Sequence, residues 1–320
     1  MSSSQKFGPH LRLIGMAILW GASWPAGRVI AQNMPPLAAA SLRFLLAATV
    51  LLPWMYWAGG FAGLRTWNMR RWLGMAVAGA AGVFGYAAFF LMGLKQVPAG
   101  KAALLITLNP VVTLALAVWI FGERINRTIA AGMAVAAAGA VVVISRGRPL
   151  EILQGAVGPG EILILGCVAC WVAYTLLGRW VMTGVDALSA TAVTSTMGAL
   201  MLLSASLLVE GPAGLGGAVH SNLQAWAALL FLALGATALA YAWYFDGVKA
   251  LGAGAASGYI TLVPVLGVLF SALLLGESMD TSMVVGGAMA VLGTAVMNWG
   301  RRSAASVSYT HLTLPTICSV

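Results

Sequence analysis

Polar residues break this chain at nearly regular intervals. Between the breaks run stretches of 18 to 24 residues rich in Leu, Ala, Val, Gly and Trp. A helix rises 1.5 Å per residue, so about 20 apolar residues cross the roughly 30 Å hydrocarbon core of a bilayer. The pattern predicts ten membrane helices, over residues 11–32, 37–58, 72–94, 99–121, 128–145, 161–182, 186–209, 223–246, 252–275 and 281–299. No ten-residue alternation of apolar and polar positions is present, which argues against a membrane β-barrel. Residues 1–10 are too polar for a cleaved signal peptide. Residues 303–320 are rich in Ser and Thr and lack helical periodicity, so they read as a disordered or appended tail outside the fold.

Composition agrees with the pattern. Hydrophobic residues make up 61% of the 320 positions and charged residues 8%, against about 45–50% and about 25% in a soluble domain. So few charges cannot cover a water-facing surface of this size. That excludes an ordinary soluble enzyme, a disordered chain and a disulfide scaffold. Ten spans leave short connectors, so any function sits between the helices.

The net charge of +9 does not point to nucleic acid, because no Lys/Arg run exceeds two residues. The basic residues instead punctuate the apolar runs. With the N-terminus inside, Lys6, Arg12, Arg65, Arg70, Arg71, Arg124, Arg127, Arg179, Lys249, Arg301 and Arg302 fall on the inner side. Arg28, Lys95, Lys101, Arg146 and Arg148 fall outside. This asymmetry predicts both termini in the cytoplasm.

The chain repeats itself at an offset of 154. Residues 93–142 and 247–296 share 17 of 50 positions without a gap, including Thr107/Thr261, Pro110/Pro264 and the Gly122-Glu123/Gly276-Glu277 pairs. A looser match at offset 151 pairs Trp20 with Trp171 and Arg28 with Arg179. Residues 1–150 and 151–302 thus form two units of five spans each. An odd span count gives the units opposite orientations, and inverted repeats with a site near the midplane are a transporter architecture. The expected fold is an all-α integral membrane protein of ten transmembrane helices in two inverted five-helix repeats.

Several of these residues also carry a family resemblance. The run 104–124, LLITLNPVVTLALAVWIFGER, has a helix proline, an apolar stretch and then Gly-Glu-Arg. Its copy keeps Pro264 and Gly276-Glu277 but has Ser278 in place of the Arg. Together with Leu19-Trp20-Gly21-Ala22-Ser23-Trp24-Pro25 and Arg43-Phe44, these motifs resemble EamA-type drug/metabolite transporters over roughly residues 11–300. Within that family the chain is most similar to bacterial exporters of aromatic amino acids, which are also associated with methyl viologen efflux. The resemblance implies export of small amphipathic metabolites, aromatic amino acids and related aromatic or cationic compounds, across the bacterial inner membrane by alternating access. A membrane channel would predict a filter loop or rings of charge. A membrane-embedded enzyme would need a His/Asp/Glu cluster or a nucleophile within the spans. Neither pattern is visible. The expected partners are a small-molecule substrate and the lipid bilayer, with no cofactor, metal or nucleic acid. Oligomeric state stays open, and a monomer suffices.

The candidate substrate-binding residues are deep and aromatic. Trp20 lies about nine residues into its span, or roughly 13 Å, and Trp171 lies equally deep. An indole N–H there needs a partner or water, so both residues either line a cavity or pack between helices. Tyr86 and Phe90 on the third span, Tyr174 on the sixth, Tyr241 and Tyr244 on the eighth and Tyr259 on the ninth supply rings for core packing or for a flat or cationic substrate. Asn109 adds a polar group. Pro110 and Pro264 each remove a helical hydrogen bond, which Thr107 and Thr261 can replace, and mark bends or gating hinges. Gly79, Gly82 and Gly85 mark close helix contacts. Arg43 and Lys101, near helix N-termini, form either ion pairs, with Glu277 or Asp280 as candidate partners, or a positive exit vestibule. Cys167 and Cys170 read as packing residues. The acids lie at span ends or in loops and the histidines lie outside the spans, so the expectation is flux down the substrate's own gradient.

Overall fold

A computed structural model describes residues 3–123, 125–148 and 157–310. Arg124, Glu151, the division between the two units at residue 150 and the last ten residues of the tail lie outside the described residues. Ten helices are long and apolar enough to cross a membrane: α1 (Gly8–Asn33), α2 (Pro36–Trp57), α3 (Met69–Leu94), α4 (Ala99–Phe121), α5 (Arg127–Ile144), α6 (Pro159–Val181), α7 (Ala187–Val209), α8 (Leu223–Leu251), α9 (Ala255–Leu275) and α10 (Thr281–Arg301). Short helices Gly60–Leu64 and Gly211–Val219 lie in connectors, and no strand occurs among the described residues. Exposed indoles at Trp57, Trp119, Trp180 and Trp299 sit near helix ends, as interfacial anchors do.

The helix ends follow from capping chemistry. Asn68, Asn126, Asp186 and Asn222 each accept the backbone N–H three residues on. Gly122 and Gly276, the repeated Gly of Gly-Glu, end α4 and α9 at φ 66° and 65°. That left-handed conformation penalises any residue with a Cβ. Past α10 the helix runs on to Thr310, although 303–310 show no amphipathic period. No Gly or Pro follows Gly300 before Pro315, so nothing in that stretch stops a helix.

Four spans are interrupted, and the interruptions repeat. In α4 the helix stops at Leu105 and resumes at Leu108, and in α9 it stops at Ile260 and resumes at Leu262. The breaks therefore fall ahead of Pro110 and Pro264 rather than at them. The Thr107 hydroxyl donates to the Leu104 carbonyl (2.6 Å) and Thr261 to Gly258 (2.5 Å). The Ile106 carbonyl that Pro110 leaves free accepts the Asn109 N–H at 2.9 Å, through a tightened turn. Spans α3 and α8 each widen into a π-helical turn, over Ala80–Gly85 and Phe231–Leu239. The first maps onto 234–239 at the same offset of 154.

The halves interlock. Helix α1 packs on α8 and α9, and its counterpart α6 packs on α3 and α4, so each first helix fits against the other half. Helices α2 and α7 pair, as do α5 and α10. A Cβ on Gly139 would lie 2.5 Å from the Gly286 carbonyl, and one on Gly132 would lie 2.7 Å from that of Gly293. Gly132 and Gly286 are repeat mates, as are Gly139 and Gly293. Their reciprocal contact therefore sets α5 and α10 across the pseudo-twofold axis, with backbones touching.

A cavity between the halves and its two ends

The helices enclose a cavity of about 430 Å³ between the two halves. Trp20 and Trp171 both line it and also pack across halves, so the two readings of a deep indole hold together. Trp20 donates its indole N–H to the Ala236 carbonyl at 2.9 Å, in the π-turn of α8. Its ring meets Tyr241 edge-on, with centroids 5.3 Å apart. Trp171 faces Tyr86 at 5.9 Å and Tyr174 at 6.0 Å. Tyr86 stacks on Phe90 at 6.1 Å. The pairs α1–α8 and α6–α3 thus present matching aromatic walls.

Small residues make room for these rings. A Cβ on Gly82 would lie 2.5 Å from the Tyr174 ring carbon Cγ, and one on Gly85 would lie 2.8 Å from the Cys170 sulfur. Asn109, Thr107, Pro110, Thr261 and Pro264 also line the cavity. The Asn109 side-chain oxygen is buried without a protein partner. Two expected site residues stand elsewhere. Tyr244 supports Trp20 from behind at 5.7 Å, and Tyr259 hydrogen-bonds the His10 ring at 2.6 Å.

The two cations also separate. Lys101 is in no vestibule. It is buried against Glu161 with Nζ–Oε1 2.7 Å, because both sit in the first turns of neighbouring helices. Arg43 lines the cavity itself. Neither Glu277 nor Asp280 pairs with it, because both are committed to backbone N–H groups. Glu277 accepts from Ala99 and Gly100, and Asp280 from Met283. The Ser282 hydroxyl and the Met283 N–H hold the Asp280 carboxyl below the usual carboxylate range.

Sequence reasoning missed part of the wall. Trp24, 4% exposed, meets Phe90 edge-on at 5.2 Å. Thr191, Thr194 and Ser195 of α7, with Thr294 and Asn298 of α10, add polar groups. The spacing of Thr191, Thr194 and Ser195, i, i+3 and i+4, places them on one face and was the available signal.

The cavity has two unlike ends. At one, Glu277 takes the Ala99 and Gly100 N–H groups at 2.8 and 2.9 Å. Arg28 lies 3.5 Å from that carboxylate and donates to the Leu94 and Val97 carbonyls at 2.6 Å each. Packed Leu94, Val97, Leu104 and Leu105 close this end, all 3% exposed or less. At the other, the cavity passes Thr113, Thr175 and Arg301 into a recess lined by Glu123 and Arg179. Glu123 and Arg179 are the repeat mates of Glu277 and Arg28. They too form an ion pair, but an exposed one.

Known proteins are similar to this chain in sequence and in overall fold. The chain is similar to the uncharacterized transporter YyaM of Bacillus subtilis, 29% identical over 89% of this chain and 91% of that one. It is 29% identical to a "Probable terminal-alkyne amino-acid exporter" of Streptantibioticus cattleyicolor, over 92% of this chain and 95% of that one. It is 27% identical to a "Probable amino-acid metabolite efflux pump" of Salmonella typhimurium, over 88% and 92%. A solved crystal structure of 23% identity, covering 91% of this chain and 98% of that one, has the same fold at a TM-score of 0.63. The EamA-like transporter family matches twice, over residues 9–145 and 158–299. Ten apolar helices and two matches that span nearly all the described residues make this chain a multi-pass membrane protein that belongs to the EamA-like transporter family.

Proposed function

We propose that this transporter exports small amphipathic metabolites, aromatic amino acids and related aromatic or cationic compounds, by alternating access through the central cavity. The observation that carries this reading is the pair of repeat-related ends, one sealed and one leading outward. The names of two relatives support amino-acid export. Flat faces at Trp20, Trp171, Tyr86, Phe90, Tyr174 and Tyr241 suit an aromatic body, and Asn109 a polar group. The Lys/Arg asymmetry favours an inner-membrane protein with cytoplasmic termini. The Glu123–Arg179 end then faces the cytoplasm, where an export substrate loads.

The repeat suggests how the ends exchange. In the opposite state Glu123 would take the Ala253 and Gly254 N–H groups, the mates of Ala99 and Gly100. Arg179 would take the Val248 and Leu251 carbonyls, the mates of those held by Arg28. The broken helices α4 and α9, with Pro110, Thr107, Pro264 and Thr261, are the bending points. The rim acids Glu161 and Asp246 are engaged, by Lys101 at 2.7 Å and by Arg12 at 2.8 Å. That favours movement down the substrate's own gradient.

Counterflow in proteoliposomes tests the reading. Labelled phenylalanine should accumulate transiently against unlabelled phenylalanine inside, with no ion gradient. Uptake indifferent to internal substrate and accompanied by a conductance would make the protein a channel. Accumulation driven by a pH gradient and lost in Glu161→Gln or Asp246→Asn would assign coupling to those acids.

A further inference from the structure

Arg43 stands inside a membrane span, where an ionised side chain is costly unless it meets a counter-charge or water. Four other cations of the fold have carboxylates: Arg12 has Asp246, Arg28 has Glu277, Lys101 has Glu161 and Arg179 has Glu123. Among the described residues no carboxylate pairs with Arg43. Its Nη2 donates to the Thr237 hydroxyl at 3.3 Å, and Thr237 passes its own proton to the Leu232 carbonyl. Its Nε is buried without a protein partner. The titratable side chains near it are the phenols of Tyr86 and Tyr241, which are neutral at neutral pH and supply no counter-charge. The guanidinium carbon lies 4.8 Å from the Phe44 ring centroid and 5.9 Å from that of Phe90, which fixes its orientation.

We infer that Arg43 is the anchor for a carboxylate on the transported molecule, so that the cavity selects aromatic anions and zwitterions over aromatic cations. This inference rests on the transport reading and narrows it, setting the cationic compounds which that reading admits below the carboxylates. The guanidinium fork matches a carboxylate in two parallel hydrogen bonds. One fixed cation suits a monoanion, whereas a phosphate dianion would bring an uncompensated charge. Arg43 lines the same cavity as Tyr86 and Tyr241, whose rings meet Trp171 and Trp20, so a carboxylate at Arg43 puts an attached ring among aromatic faces. The walls carry Arg43 and Arg301, and no Asp or Glu among the described lining residues. A flat dication would meet repulsion there and no counter-ion.

The test measures binding to the purified full chain and counterflow with four probes: phenylalanine, 3-phenylpropionate, phenylalaninamide and methyl viologen. Wild type should bind the two carboxylates about tenfold to a hundredfold more tightly than the amide, the range of a charge-assisted hydrogen bond. Methyl viologen should compete poorly. Arg43→Gln should erase the preference by weakening the carboxylates alone, with the amide unchanged. Arg43→Lys keeps the charge and loses the fork, so the preference should fall part-way. If Arg43→Gln does not fold, the lysine variant and the wild-type ratio decide. Equal handling of carboxylate and amide by wild type, or a preference that survives Arg43→Gln, overturns the inference and leaves the transport reading standing. Counterflow of none of the probes overturns both.

Discussion

At one end of the cavity Glu277 is shielded, bound to two backbone N–H groups and backed by Arg28. At the other its repeat mate Glu123 meets Arg179 at the surface, with side chains 36% and 47% exposed against 14% and 19%. The same residue types at the same repeat positions thus do unlike work. The shared Gly-Glu does not account for the difference, since it follows an αL-capped helix in both places. It lies in the packing: α1, α4 and the end of α9 meet around one pair, whereas the other stands exposed. Magnitudes follow from burial. Losing one partner of a buried, hydrogen-bonded pair costs about 3–5 kcal/mol. An exposed pair contributes about 0–1 kcal/mol.

The largest expected effect is therefore at Glu277. Glu277→Ala orphans the Ala99 and Gly100 N–H groups at the start of α4 and strands Arg28. Thermal unfolding should show a loss of about 3–5 kcal/mol. A cysteine placed at Ala103, in a background with the native cysteines replaced, should become reactive to an impermeant maleimide added on the Glu277 side. Unchanged stability and labelling would mean that packing alone seals this end.

The contrast also shows what a sequence conceals. Span number and length were legible because a bilayer demands runs of fixed length. Trp20 and Trp171 were legible because depth and repetition coincide at both. The ion pair of Lys101 was legible but not its partner, because Glu161 is sixty residues away on the next unit, and neither residue's neighbours point to the other. Thr191 and Thr194 escaped notice because each bonds a carbonyl of its own helix, at 2.8 and 2.7 Å, as such residues do in any apolar helix. The π-turns left only a trace, in the close-contact glycines Gly79, Gly82 and Gly85. A shift from i−4 to i−5 pairing barely alters the apolar pattern. Which end is closed cannot be read from the Gly-Glu pair, since both ends carry it.

Glu123 sharpens the comparison from the other side. In the state described its carboxylate is exposed, so Glu123→Gln should change stability by about 1 kcal/mol or less. With the ends exchanging as proposed, transport should nonetheless fall tenfold or more, because the opposite state would use that carboxylate as its latch. A paired measurement of unfolding and phenylalanine counterflow separates the two. A variant that lost stability as Glu277→Ala does would remove the asymmetry. One that kept full transport would remove the exchange of latches.

The smallest effect compares the two capping residues that follow the latches. Asn126 caps α5 through the Ile129 N–H, and Asp280, its mate at offset 154, caps α10 through the Met283 N–H, each at 2.8 Å. Geometry and position agree, but only the aspartate titrates. Its pKa is depressed in the folded protein, first by the Ser282 hydroxyl and then by the Met283 N–H. A depressed carboxyl contributes stability that is fully present above its unfolded pKa, about 3.9. That contribution is lost as the pH falls through the lower folded value. The sealed end should therefore loosen below about pH 4 while the Asn126 end does not respond through its cap. Asn serves as an N-cap about as well as Asp, so Asp280→Asn should match wild type at neutral pH. In acid it should flatten the decline, seen as a smaller loss of thermal stability below about pH 4 than in the parent protein. A decline of the same steepness in both would place the acid sensitivity elsewhere.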